Sequence, residues 1–301
     1  MKILNFGSLN IDYVYTVEHF VRPGETLSSL KMEVFCGGKG LNQSIALARA
    51  GAEVYHAGGI GKADGAALKD ALARNGVRTQ YVRELDVPSG HAVIQVDHRG
   101  QNCILLYGGA NAGQTPEYIR QVVGSFSPGD YIVLQNEVNG LDELLCRAHE
   151  QGMKIVLNPS PMNEKILDAH LEYVDYLVVN EVEAGDLCPG TEKKALLEAL
   201  SVKYPKAAIV LTLGKEGAWY KDTRLTLHHG IYDMPVADTT AAGDTFTGFF
   251  IALTAGGFPP EEALHMASAA SSIAVSRKGA APSIPYINEV HDELPKMKLL
   301  K

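Results

Sequence analysis

Short apolar runs alternate with helix-patterned stretches along most of this chain, and few architectures accept that order. Residues 2–7 (KILNFG), 54–58, 131–135 (YIVLQ), 154–158 (KIVLN), 176–179 (YLVV) and 207–212 (AAIVLT) read as strands. Residues 41–50, 65–75, 141–151 and 192–204 carry helical spacing, the first two stopped by Gly51 and Gly76. A further apolar helix follows residue 244 and ends at Gly256 or Gly257. Such alternation predicts a mostly parallel sheet with helices on both faces and ligands at the carboxyl ends of its strands. A chain of 301 residues can bury one large core, so one domain over 1–301 is expected.

Two segments break the rhythm. Residues 12–35 and 90–107 hold period-2 runs such as HAVIQVD and NCILLY, with HRGQ (98–101) as a hairpin turn and no helix between. They predict a small antiparallel sheet standing off the main body. It can serve as a lid over a site, as an edge extension or as a dimer contact.

Net charge excludes some partners. At −8, with no basic run, the chain is not suited to nucleic acid, and an anionic substrate must be held by local donors and metal. Cys36, Cys103, Cys146 and Cys188 are scattered without metal-type spacing, which suits free thiols in a reducing cytoplasm. The first ten residues hold too short an apolar run for a signal peptide, and no stretch is long enough to span a membrane. A cytoplasmic protein is expected.

The polar residues gather where strands end. In GSLNID, Asn10 and Asp12 leave the first strand as donor and acceptors suited to a polyol, or as a simple Asx-turn. In CGGKGLNQ, glycines 37, 38 and 40 let the backbone approach a ligand, with Lys39 and Asn42 able to point the same way. The segments QNE (135–137), NPSP (158–161) and NEVEA (180–184) end strands; Glu181 suits either a hydrated Mg²⁺ or the dipole of the helix that follows. TLGKEG (212–217) suits a nucleotide phosphate or a hairpin. DTTAAGDTF (238–246) sets two aspartates around a turn at a helix entrance, where free N–H groups attract anions. Ala242, Gly243 and Asp244 could form an anion nest there, with Asp244 either capping the helix or taking a proton from a hydroxyl that attacks phosphorus. No G-x-G-x-x-G, Walker A loop, nucleophile elbow or H-E-x-x-H competes.

Taken in order, N-x-D, GGKG-x-NQ, NP-x-P, N-E-x-E-A, TLG-x-x-G and D-T-x-AAGDTF resemble the ribokinase-like (PfkB) carbohydrate kinases over roughly residues 3–290. That resemblance implies a three-layer α/β/α body with a β-sheet lid, often paired between subunits as a homodimer. It implies transfer of the ATP γ-phosphate to the primary hydroxyl of a furanose sugar, with D-ribose to D-ribose 5-phosphate first and another furanose or a nucleoside as the alternative. By the same resemblance Asp244 is the base, with Ala242 and Gly243 lending amides to the phosphate. Asn10, Asp12, Gly38, Lys39, Asn42 and Glu137 match the sugar set. Asn158, Thr212, Gly214, Gly217, Gly243 and Ser268 match the ATP side. Asn180 and Glu181 match the Mg²⁺ motif, and Asp238, Thr240, Ala274, Arg277, Gly279 and Ser283 a K⁺ site built mostly of carbonyls. A catalytically silent relative would lack the base, and a nicotinamide oxidoreductase would need the missing glycine motif.

Overall fold

The computed structural model describes residues 1–300. In chain order it contains β1 (Lys2–Phe6), β2 (Asn10–Thr16), β3 (Lys31–Gly37), α1 (Lys39–Arg49), β4 (Glu53–Gly61), α2 (Ala66–Arg74) and β5 (Arg78–Leu85). Next come β6 (Gly90–Val96), β7 (Asn102–Tyr107), α3 (Pro116–Val123), β8 (Tyr131–Gln135), α4 (Leu141–Glu150), β9 (Lys154–Asn158), the single turn α5 (Glu164–Leu167) and β10 (Tyr176–Asn180). The rest is α6 (Glu181–Leu187), α7 (Leu196–Lys203), β11 (Ala208–Thr212), β12 (Ala218–Lys221), β13 (Thr226–His229), α8 (Ala242–Ala255), α9 (Pro260–Val275) and α10 (Ile287–Glu293).

Nine strands form the main sheet in the order β13-β12-β11-β10-β9-β8-β1-β4-β5. All neighbours from β11 to β5 run parallel, and only the β11–β12 and β12–β13 pairs are antiparallel. The inner strands are apolar throughout because both faces are covered. In β8, Tyr131 and Val133 join a core under α1, α8 and α9, while Ile132 and Leu134 join the opposite core under α3, α4, α6 and α7. Three layers result, and the carboxyl ends of β1, β8, β9, β10 and β11 open on one edge.

The second sheet has the order β3-β2-β6-β7. It is mixed: β2–β3 and β6–β7 are antiparallel, but the central β2–β6 pair runs parallel. The parallel pair arises because β2 and β6 both leave the body from strand ends on the same edge, β1 and β5. Residues 98–101 make the expected β6–β7 turn, closed by Gly100 N–H donating to Asp97 O at 3.0 Å.

Helix α8 is apolar on all sides because it lies between α1 and α9. Its Gly248 meets Ala46 of α1, and a Cβ at residue 248 would fall 2.3 Å from the Ala46 Cβ. The two helices therefore touch almost backbone to backbone. One turn upstream of that contact stand Asn42 on α1 and Asp244 on α8, side by side at the open edge of the sheet.

Candidate active site

Only three residues separate β1 from β2, so Asn10 and Asp12 enter the second sheet directly above the main one. Asn10 is buried and its Oδ1 accepts from Asn111 Nδ2 at 2.7 Å. The Asp12 carboxylate lies over Gly37, where a Cβ would sit 1.9 Å from Oδ2, so residue 37 must lack a side chain. Gly38 follows with φ 94° and turns the chain into α1. Burial, and then the nearby Glu137 charge, push the Asp12 carboxyl up to about 7.

Glu137 faces the same hollow from the end of β8. Its Oε2 accepts from the Ser8 hydroxyl and from Lys39 N–H at 3.0 Å. Burial still raises its carboxyl above the usual range, against the lowering effect of those donors and of the Lys39 charge. Burial alone would lower Lys39, but Asp244, Glu137 and Glu183 outweigh it and hold the ammonium above its ordinary value. One cation is thus shared among three carboxylates, two of them buried and Glu137 half-buried.

Asp244 occupies the third position of α8 and is 8% exposed. Its Oδ2 accepts from Asn42 Nδ2 at 3.0 Å and its Oδ1 from Gln43 Nε2 at 2.9 Å. Gln43 Oε1 accepts in turn from Gln135 Nε2 at 2.7 Å, and Gln135 Nε2 also donates to Asn5 Oδ1 at 3.0 Å. Asn5 continues to Ser44 Oγ at 2.9 Å, which pairs with His56 Nδ1 at 2.7 Å. A fully buried polar chain therefore backs the carboxylate. Asn42 Oδ1 is buried without a partner among the described residues, an acceptor held ready at the site.

The entrance of α8 faces open space. Ala241 is left-handed at φ 60°, a costly conformation for a side chain with a Cβ, and it turns the chain so that α8 starts abruptly. The N–H groups of Ala242, Gly243 and Asp244 fall among those a helix cannot bond internally; that of Ala242 donates to Thr239 O at 3.3 Å, which leaves those of Gly243 and Asp244 facing outward. A Cβ at Gly243 would meet nothing within 4 Å, so this glycine borders open space. That space is a cavity of about 210 Å³ lined by Lys39, Asn158, Glu183, Thr212, Gly243 and Asp244 among others. A larger cavity of about 490 Å³ between β13 and α9 shares no lining residue with it, and Glu261 and Glu262 line it at the start of α9.

Not every expected residue joins this crevice. Glu181 turns to solvent and pairs with Lys193 at 2.8 Å, while Glu183 is buried in the cavity wall. The reason is helical: Asn180 caps α6 in a capping box with Glu183, whose carboxylate reaches back to Asn180 N–H at 3.0 Å and so points inward. Asn158 accepts from Gln43 Nε2 at 3.1 Å and donates to Val178 O at 3.0 Å. Thr212 ends β11 on the cavity wall, and Gly214 and Gly217 shape the β11–β12 connection with φ of 56° and 83°. Ser268 is buried within α9 and does not line the cavity.

Asp238 ties two loops together: Oδ1 accepts from Thr240 N–H at 2.9 Å and Thr240 Oγ1 at 2.6 Å, and Oδ2 from Gly279 N–H at 3.0 Å. Although burial opposes it, those donors hold its carboxyl below the ordinary range. Ala274 and Ser283 are buried nearby along the same chain turn, whereas the Arg277 guanidinium pairs with Glu289 at 3.1 Å, leaving only its carbonyl for an ion. Sequence reasoning missed Ser8, Gln43, Asn111, Gln135 and Glu183. The N-x-x-E spacing of 180–183 was the available signal for the last of these.

The match to known proteins spans the molecule. The family model described as pfkB family carbohydrate kinase matches residues 1–287. The ribokinase of Haemophilus influenzae is 34% identical over 292 residues, covering 94% of this chain and 95% of that protein. The crystal structure of ribokinase from Thermotoga maritima superposes with a TM-score of 0.86 at 31% identity, covering 97% of this chain and 99% of the other. The Arabidopsis thaliana ribokinase complexed with ribose and ATP gives a TM-score of 0.82 at 28% identity, covering 97% and 98%.

Proposed function

Since the chain belongs to the pfkB family and is an ATP-dependent carbohydrate kinase, we propose that its acceptor is a furanose and foremost D-ribose, phosphorylated at the primary hydroxyl to D-ribose 5-phosphate. One observation carries this reading. A buried carboxylate, Asp244, lies in the first turn of α8, close enough to Glu137 and Lys39 for their charges to act on one another. Asp244 takes the hydroxyl proton as that oxygen attacks the γ-phosphorus, and the amides of Ala242, Gly243 and Asp244 hold the oxygens of the transferring group. Asp12 and Glu137 accept the remaining sugar hydroxyls, Asn10 and Asn42 fix the ring, and Lys39 sits between sugar and phosphate. Gly38 keeps the floor close.

Asn158, Thr212, Gly214 and Gly217 form the ATP side, with Ser268 supporting it from within α9. For the Mg²⁺ that accompanies ATP, we favour Glu183 over Glu181: it is a buried hard-oxygen donor on the cavity wall, and an ion with most of its waters needs few such ligands. When bound, the ion neutralises charge on the phosphates. Asp238 and the carbonyls of Thr240, Ala274, Arg277 and Gly279, with Ser283, would hold K⁺ and stiffen the anion cradle.

No helix among the described residues is long and apolar enough to cross a membrane. Met32, Val34, Ile104 and Leu106 are exposed on the second sheet, which supports its role as a lid that also joins two copies into a homodimer. Sedimentation of the purified chain tests that pairing, and a monomer at micromolar concentration would refute it.

An ADP-release assay across ribose, 2-deoxyribose, fructose, tagatose and several nucleosides, each in K⁺ and in Na⁺, tests the reading. Highest kcat/KM for ribose, greater in K⁺, is expected. Preference for a nucleoside would overturn the acceptor, and equal rates in both salts would remove the monovalent site.

A further inference from the structure

Away from the crevice, the first two turns of α4 and the connection leading into β10 bring together a second set of chemical groups. Asp142 and Cys146 are one helical turn apart on α4 and share a face. His170 reaches them from the connection, and its backbone N–H donates to Asp142 Oδ1 at 3.2 Å. One ligand atom from each of the three lies within 4.8 Å of the other two. None of them lines the Asp244 cavity, and phosphoryl transfer uses none of them.

From this juxtaposition we propose that Asp142, Cys146 and His170 form a site for a divalent cation of the zinc type. Around tetrahedral zinc, neighbouring ligand atoms stand roughly 3.3–3.8 Å apart, so closure asks for a contraction of at most about 1–1.5 Å. The donor set selects the ion: thiolate and imidazole favour zinc over magnesium or calcium, and three protein ligands leave the fourth position to water. Glu172 completes the arrangement. Its Oε1 is 2.9 Å from His170 Nδ1, the carboxylate partner that metal-bound imidazoles commonly carry, which leaves Nε2 for the metal. Tyr173 stacks on His149 of α4 with ring centres 4.0 Å apart and on His170 at 5.1 Å, so the connection is already laid along the helix. On binding, the Cys146 thiol releases its proton to buffer as the sulfur–metal bond forms. The ion pins the connection to α4.

Cobalt(II) reports the site without any need for ATP or sugar. The metal-stripped full chain titrated with Co²⁺ is expected to develop a thiolate-to-cobalt charge-transfer band that one equivalent of Zn²⁺ abolishes. C146S and H170A should lose the band, C103S should keep it, and E172Q should weaken affinity about tenfold. Zn²⁺ should raise the melting midpoint of the native chain and leave that of C146S unchanged. Absence of the band in the native chain, its survival in C146S, or its loss in C103S would overturn the site.

Discussion

Gln43 Nε2 stands 2.9 Å from Asp244 Oδ1, while Gln43 Oε1 is itself held by Gln135. The amide therefore cannot rotate to offer its oxygen to the carboxylate, and the orientation of Asp244 is set from behind. In Gln43→Leu, Asp244 Oδ1, Asn158 Oδ1 and Gln135 Nε2 each lose a donor or acceptor. We expect a stability loss of about 1–3 kcal/mol in denaturant titration and a roughly tenfold lower kcat with sugar KM little changed. An unchanged kcat would show that Asp244 orients without this support.

Removing the proposed base is the sharper perturbation. Asp244→Asn keeps shape and hydrogen-bond reach but cannot take a proton. A fall in kcat of about two to four orders of magnitude is expected in the ADP-release assay, with sugar binding retained by calorimetry. Near-normal turnover would contradict the role.

With Asp12 holding the sugar as proposed, its carboxyl, pushed up to about 7, should make sugar affinity depend on pH. Its ionised form accepts hydroxyl hydrogen bonds on both oxygens and more strongly than the acid does, so KM for the sugar should fall as pH rises through 7, and Asp12→Asn should flatten that profile. The sign for stability is opposite. The folded value lies above the ordinary 3.8, so the contribution of the protonated form is full below about 4 and is lost as pH rises through 7. Sugar-free protein should therefore unfold more readily at pH 8 than at pH 6 relative to Asp12→Asn.

Gly243 separates stability from activity. Its φ is not positive and a Cβ there meets nothing, so Gly243→Ala should leave the fold intact and add up to about 1 kcal/mol of helix stability. The new methyl would stand in the space assigned to the transferring phosphate. A raised melting point with a strongly reduced kcat is the expected pair, and full activity would move the phosphate elsewhere.

Helix contact tests whether the placing of Asp244 depends on backbone approach. In Gly248→Ala, the added Cβ falls 2.3 Å from the Ala46 Cβ and must push α8 from α1. A cost of about 1–3 kcal/mol and a lower kcat are expected, with both partly restored by Ala46→Gly in the same chain. Loss of stability without loss of kcat would show that Asn42 and Gln43 follow the displaced helix.

Strand–helix alternation was enough to read the parallel sheet, because strands covered on both faces are apolar throughout, as in residues 131–135. The edges were harder. β5 alternates as RTQYVREL, β13 is the polar TLHH, and β12 (AWYK) is only four residues long and half-buried by alternation, so none of the three carries the continuous apolar signature. Local spacing also could not show that β2 and β6 run parallel, since that follows from where each leaves the body. At the site, residues in loop motifs were legible because glycines and strand ends mark them. Glu183 was not, since the turn of α6 and its capping box decide which of two acidic residues faces inward. Gln135 and Asn111 read as ordinary strand and loop polar residues until the fold stacks them behind Asp244 and Asn10.

The second sheet leaves and rejoins the body only at the end of β1, the start of α1, the end of β5 and the turn after β7. It is a cassette inserted twice into an otherwise closed scaffold. Exchanging those two excursions for others of equal span would redraw the acceptor's outline while sparing the machinery that moves phosphate, so new substrates could evolve by splicing rather than by rebuilding the centre.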